Sequence, residues 1–167
     1  MINLIKMRFK RKKPQVTTEN KKVRNATAVV IDGIKFRSKL EAYCYERLKE
    51  EGFPSSYESS RVVLMEGFTP SENFFIYVPK IIKGKKGPIE RATGKIRDIT
   101  MTPDFMFEYK GYDIIIETKG NPNDAYPNKR KTYFKLLNEK IQDKRIAFFE
   151  PSSKKHVDEV INILKEL

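Results

Sequence analysis

The chain has 167 residues, 39% of them hydrophobic and 34% charged, with a net charge of +12. That length suits one domain with a real core, and the charge suits a polyanionic partner. A single Cys44 and a single His156 exclude an intrachain disulfide, a cysteine-based zinc site and any two-histidine mechanism.

Residues 1–25 carry nine Lys and Arg against Glu19 alone, a net of +8. They read as a basic, flexible N-terminal arm in which Lys10, Arg11, Lys12 and Lys13 would contact nucleic acid without sequence preference. Residues 26–167 read as one folded domain. The start MINLIKMRFKRKK has too short an apolar part for a secretory signal, and no apolar run approaches the ~20 residues of a membrane span. A cytoplasmic protein with no membrane partner is expected.

ATAVVIDGIKF predicts a short strand pair turning at Asp32-Gly33. SKLEAYCYERLKEEG predicts a helix capped by Ser38, with Glu41 closing a capping box and Gly52 as the stop. Leu40, Cys44 and Leu48 would face the sheet at i, i+4, i+8. RVVLMEGF and FFIYVPKIIKG read as strands, and KGKKGPIERATGK as a polar loop. IRDITMTPDFMFEY and YDIIIETKG read as a hairpin turning at Lys110-Gly111. NPNDAYPN reads as a loop, KRKTYFKLLNEKIQ as a helix with Tyr133, Leu136, Leu137 and Ile141 on one face, and RIAFFEP as a strand. The last helix carries Val157, Val160, Ile161 and Leu164 on its inner face. Tyr43, Tyr45, Tyr77 and Tyr133 read as core or half-buried, and His156 as surface. The expected fold is α/β (α+β), a mixed β-sheet flanked by helices, with the strand after the second long helix joining by a crossover.

The hairpin carries chemistry. Residues two apart on a strand share a face, so Glu117 and Lys119 point the same way, and the turn brings Asp104 alongside Glu117. Two carboxylates suit Mg²⁺, which keeps several waters and takes one or two protein carboxylates. Such an ion could activate water for phosphodiester hydrolysis, with Lys119 neutralising developing charge. The plainer alternative is a solvated hairpin end whose Glu–Lys pair stabilises by under about 1 kcal/mol.

Pro103-Asp104, a dozen residues, then Glu117-Thr118-Lys119 resembles the signature of the PD-(D/E)XK nuclease superfamily. TPDF at 102–105 and ETKG at 117–120 resemble the core of the phage endonuclease I type of Holliday-junction resolvase. GIKFRSKLEA and KIRDITMTPDF are similar to small phage proteins related to it. The resemblance spans Asp32 to Pro151, with an expansion around residues 66–95. It implies a restriction-endonuclease-like fold and metal-dependent hydrolysis of branched DNA. Asp104, Glu117 and Glu41 would be the metal ligands and Lys119 the catalytic lysine. Mg²⁺ would be the cofactor, with Mn²⁺ able to substitute, and no small-molecule cofactor is needed. A homodimer with one site per strand is also implied, acting in a host cytoplasm or packaged in a virion. For Glu41 the capping-box role and the ligand role are alternatives, because a capping Glu turns back towards the helix start and a ligand Glu must face the hairpin. Lys129, Arg130 and Lys131, at the expected start of a helix, would bind phosphate there. A catalytically silent nucleic-acid-binding or virion-associated module on the same fold is the alternative.

Overall fold

A computed structural model describes residues 27–120, 125–141 and 145–167. The basic arm, Lys10 to Lys13 included, lies outside the described residues. β1 (Val29–Ile31) and β2 (Ile34–Phe36) form the expected hairpin. Asp32 and Gly33 both take positive φ, 53° and 77°, as a tight hairpin turn of the I′ kind requires. The Asp32 carboxylate accepts hydrogen bonds from Tyr45 (2.8 Å) and Lys49 (2.6 Å), which ties the turn to α1 (Lys39–Glu50).

Helix α1 starts and stops where its sequence directs. Ser38 caps it, accepting from the Glu41 N–H. At the other end Gly52, with φ 75°, donates to Lys49 O while Phe53 donates to Leu48 O, the paired bonds of a Schellman stop.

The centre of the molecule is a three-stranded sheet ordered β7 (Phe105–Tyr109), β8 (Tyr112–Ile116), β9 (Arg145–Phe149). β7 and β8 are antiparallel around Lys110-Gly111, and β8 and β9 are parallel, joined through α2 (Tyr126–Lys140). Ile114 and Ile116 pack on Phe36, on Leu48 of α1 and on Ile161 and Leu164 of α3 (Lys154–Glu166). Ile115 points the other way, onto Tyr126 and Tyr133 of α2 and onto Leu64 and Met101. A strand buried on both faces reads as continuous Ile rather than as alternation, which explains the III of β8. The fold is α+β, with helices on both faces of a mixed sheet. Among the described residues no helix is long and apolar enough to cross a membrane.

Two expectations need correction. The run 96–109 is not one strand. β6 (Ile99–Met101) pairs with β3 (Val62–Met65), whereas β7 pairs with β8. Pro103 has no N–H to offer a ladder, and the chain changes partner at Thr102-Pro103-Asp104. The polar stretch 83–95 is not a loop either. β5 (Lys85–Ala92) forms a hairpin with β4 (Ile76–Ile82) around Lys83-Gly84, φ 47° and 75°. Polar strand residues are tolerated there because the ribbon is exposed, and Tyr77, expected half-buried, is 63% exposed. At the hairpin's root Phe68 bridges Ile96. Gly67 lies so close that a Cβ there would collide with the Ile96 carbonyl and the Arg97–Asp98 peptide.

Candidate active site

The partner change at Pro103 delivers Asp104 to the start of β7, and the β7–β8 register places Phe105 opposite Ile116. Asp104 and Glu117 therefore meet one step beyond the ladder. The Asp104 carbonyl accepts from the Glu58 N–H at 2.8 Å. Its carboxylate Oδ2 accepts from both the Thr118 N–H and the Thr118 hydroxyl, each at 2.7 Å. Past the end of β8 the chain keeps the parallel pairing pattern. Glu117 N–H donates to Phe149 O (3.0 Å) and Lys119 N–H to Pro151 O (2.9 Å). The backbone thus keeps Glu117 and Lys119 on one side, as strand alternation requires.

Both acids are buried, Asp104 at 6% exposure and Glu117 at 7%. Burial, then the neighbouring charge of Glu117, pushes the Asp104 carboxyl up to about 7. Burial raises Glu117 too, against the opposing pull of Lys119. The Lys119 ammonium lies 3.2 Å from Glu117 Oε1 and 4.3 Å from the centre of the Tyr126 ring. Glu117 Oε2 is buried with no hydrogen-bond partner among the described residues, and the same holds for the Tyr133 hydroxyl. Burial and the charge of Glu117 push Tyr133 up to about 12. A cleft of about 260 Å³ opens beside Glu117 and Lys119, lined also by Arg37, Thr100, Tyr126 and Lys129 among others.

Two buried acids raised by burial, one with an orphaned oxygen, are what a small hard cation would relieve. Asp104 and Glu117 are the residues that could hold such a cation, Glu117 from the cleft lining and Asp104 with one oxygen already taken by Thr118. Among the described residues no three His, Cys, Asp or Glu side chains converge closely enough to hold a metal together. Glu41 stands aside in its capping arrangement. Its Oε2 accepts from the Arg37 N–H (2.8 Å) and the Tyr57 hydroxyl (2.5 Å), and its Oε1 from Ser38 Oγ (2.9 Å). Its charge still reaches Asp104, as a smaller contribution to raising that carboxyl.

The three basic residues of α2 are placed differently from one another. The helix begins at Tyr126, with Pro127 in its first turn, where a missing N–H costs nothing. Lys129 to Lys131 consequently lie after the first turn rather than opening the helix. Lys129 lines the cleft and donates to Thr100 O at 3.3 Å. Arg130 is engaged with Glu150 at 2.8 and 3.0 Å, and Lys131 is exposed. Tyr126 donates to the same Glu150 at 2.7 Å, so one carboxylate fastens the start of α2 beside the end of β9.

Thr118, Tyr57, Tyr126 and Glu150 support the site without having been read from the sequence. Thr118 sits inside the E-T-K string, and its signal was available. Tyr57 meets Glu41 across sixteen positions, and no local spacing marks it.

Residues 21–154 match the family model described as "Protein of unknown function (DUF1064)", and the chain belongs to that family. No curated protein and no solved structure matches it.

Proposed function

We propose that this member of the DUF1064 family is a metal-dependent endodeoxyribonuclease of PD-(D/E)XK type, with branched DNA as its substrate. The observation that carries the reading is the buried Asp104–Glu117 pair, with a Glu117 oxygen that has no hydrogen-bond partner among the described residues, directly beside the Lys119 ammonium. Asp104 and Glu117 would hold Mg²⁺. When bound, the ion would make a water more acidic and draw charge from the phosphate.

The chain's own groups divide the remaining work. Thr118 donates twice to Asp104 Oδ2 and so fixes the carboxylate's rotation. Lys119, held by Glu117 and the Tyr126 ring, presents a cation at the cleft where charge develops on a scissile phosphate. Lys129 and Arg37, also lining the cleft, would take flanking phosphates. In the reaction a water oxygen bonds to phosphorus, one P–O ester bond breaks, and the departing oxygen takes a proton. Two copies of the chain would give one such site for each strand of a junction.

A second reading is a silent nucleic-acid-binding module on the same scaffold. The engagement of both Glu41 oxygens favours it, because it leaves two acids rather than three free for a metal. Labelled four-way junction, matching duplex and single strand, each with Mg²⁺ and with EDTA, separate the two. Junction-selective, metal-dependent cutting that disappears in Lys119→Ala is expected. Tight binding without cutting in either Mg²⁺ or Mn²⁺ would hand the function to the silent module.

A further inference from the structure

The β4–β5 hairpin stands outside the packing that builds the site. Its strands pair along their length, Ile76 opposite Ala92 to Ile82 opposite Lys85, with one bulge between Pro79 and Ile81. Among the described residues they join no other strand. Opposed residues of an antiparallel pair share a face. Tyr77, Ile81 and Ile89 therefore share one face, 63%, 65% and 68% exposed, and Val78 and Ile82 the other, 44% and 48% exposed. A two-stranded ribbon with both faces in water is marginally stable, and this much contiguous apolar surface marks a contact area.

Charge selects the occupant. Lys80, Lys83, Lys85, Lys86 and Arg91 against Glu90 give residues 76–92 a net +4. A second copy's ribbon would bring another +4 and residues 1–25 carry +8, so both are repelled, and the rest of the chain, with no net charge, offers a +4 ribbon no complementary charge. A DNA duplex offers one negative charge per ~1.7 Å of axis and a major groove of ~12 Å that admits a two-stranded ribbon. Aliphatic side chains beside lysines suit such a groove, the first against thymine methyl groups and the second on phosphates. The root of the hairpin also connects to the cleft. Phe68 bridges Ile96, the chain then enters β6, and Thr100, Met101 and Thr102 line the cleft.

We infer that the β4–β5 hairpin is a DNA-gripping arm, lying in a groove of the duplex that flanks the phosphate to be cut. The inference rests on reading Asp104, Glu117 and Lys119 as a nuclease site. Seven strand residues span ~23 Å at ~3.3 Å each, about two-thirds of a ~34 Å helical turn.

The test measures binding of the full chain to a junction and a duplex in EDTA, across a salt series. Alongside run Lys85→Gln/Lys86→Gln, Ile89→Ser, and a control pair Lys154→Gln/Lys155→Gln on α3. Loss of two phosphate contacts lowers the slope of log K against log salt by about 1.8, and the hairpin pair should show it with several-fold weaker binding and a shorter footprint. The control pair should show neither, and Ile89→Ser should weaken binding with little change in slope. Equal losses in the two pairs, no loss in either, or a wild-type chain that fails to bind DNA would overturn the arm. So would a change in solution mass with Ile89→Ser, which would point to a second copy on the ribbon. Hairpin-dependent binding with no Mg²⁺-dependent cutting would overturn the nuclease reading, and with it the placement beside a cut phosphate, and would keep the hairpin only as a DNA-binding element. Cutting with hairpin-independent binding would do the reverse.

Discussion

Asp104 and Glu117 are held together at a cost that the fold does not recover by itself. The Asp104 carboxyl stands at about 7, against an ordinary 3.8. Between those values the folded chain keeps a proton that the unfolded chain releases, so this group's contribution to stability is full below about pH 4 and lost as pH rises through 7. Asp104→Asn should therefore stabilise the metal-free protein at pH 8, by on the order of a few kcal/mol, and much less at pH 5. Mg²⁺ competes with that proton and should raise the wild-type melting temperature strongly at pH 8, weakly at pH 5, and hardly at all in Asp104→Asn. Calorimetry at the two pH values checks this, and a metal shift indifferent to pH would sink the ligand assignment. Glu41 poses a different question. Glu41→Gln keeps an acceptor for Arg37 N–H and Tyr57 and should leave the melting temperature within a degree or two. Glu41's charge helps to raise the Asp104 carboxyl, so if it acts through Asp104, Glu41→Gln should move the onset of Mg²⁺-dependent cutting to lower pH; an unchanged pH profile would leave Glu41 as a helix cap.

Elements whose signals are local were legible. Helix α1 has its cap, its apolar stripe and its Gly52 stop within fifteen positions, and α3 shows Val157, Val160, Ile161 and Leu164 buried as their spacing predicts. The Asp104–Glu117 meeting was legible for the same reason, since a two-residue turn fixes the register between them. The partner change at Pro103 was not. Ile99 to Met101 has the same strand-like composition whether it pairs with β3 or continues into β7, and only the distant β3 decides. β5 was missed because an exposed ribbon needs no apolar alternation. The attachment of α2 is likewise non-local, because Glu150 receives both Tyr126 and Arg130. Glu150→Ala should cost about 1–2 kcal/mol, towards the low end because Arg130 is 38% exposed. Tyr126 also carries the ring beside Lys119, so cutting should drop by more than stability alone explains. Stability and rate measured together, with Tyr126→Phe as the milder change, test that coupling.

At the scale of the whole molecule charge is distributed unevenly, and on the proposed function that would separate affinity from chemistry. Residues 1–25 hold +8 of the +12, while Asp104, Glu117 and Lys119 lie at the end of the β7–β8 pair. Removing residues 1–25 should weaken binding to every DNA alike and reduce its salt dependence, with sites of cleavage unchanged on a sequencing gel. A changed cleavage pattern would show that the arm positions substrate. The hairpin differs in kind from that arm, and its root shows why. Phe68 and Ile96 face each other across an isolated bridge, and Gly67 lets the two backbones touch. The ribbon therefore leaves and re-enters the domain through a single seam. A short linker closing that seam would join β3 to β6 without displacing either, which makes the ribbon an exchangeable attachment. Grafts of other lengths or charges at the same seam would alter what the protein can hold while Asp104, Glu117 and Lys119 stay where they are.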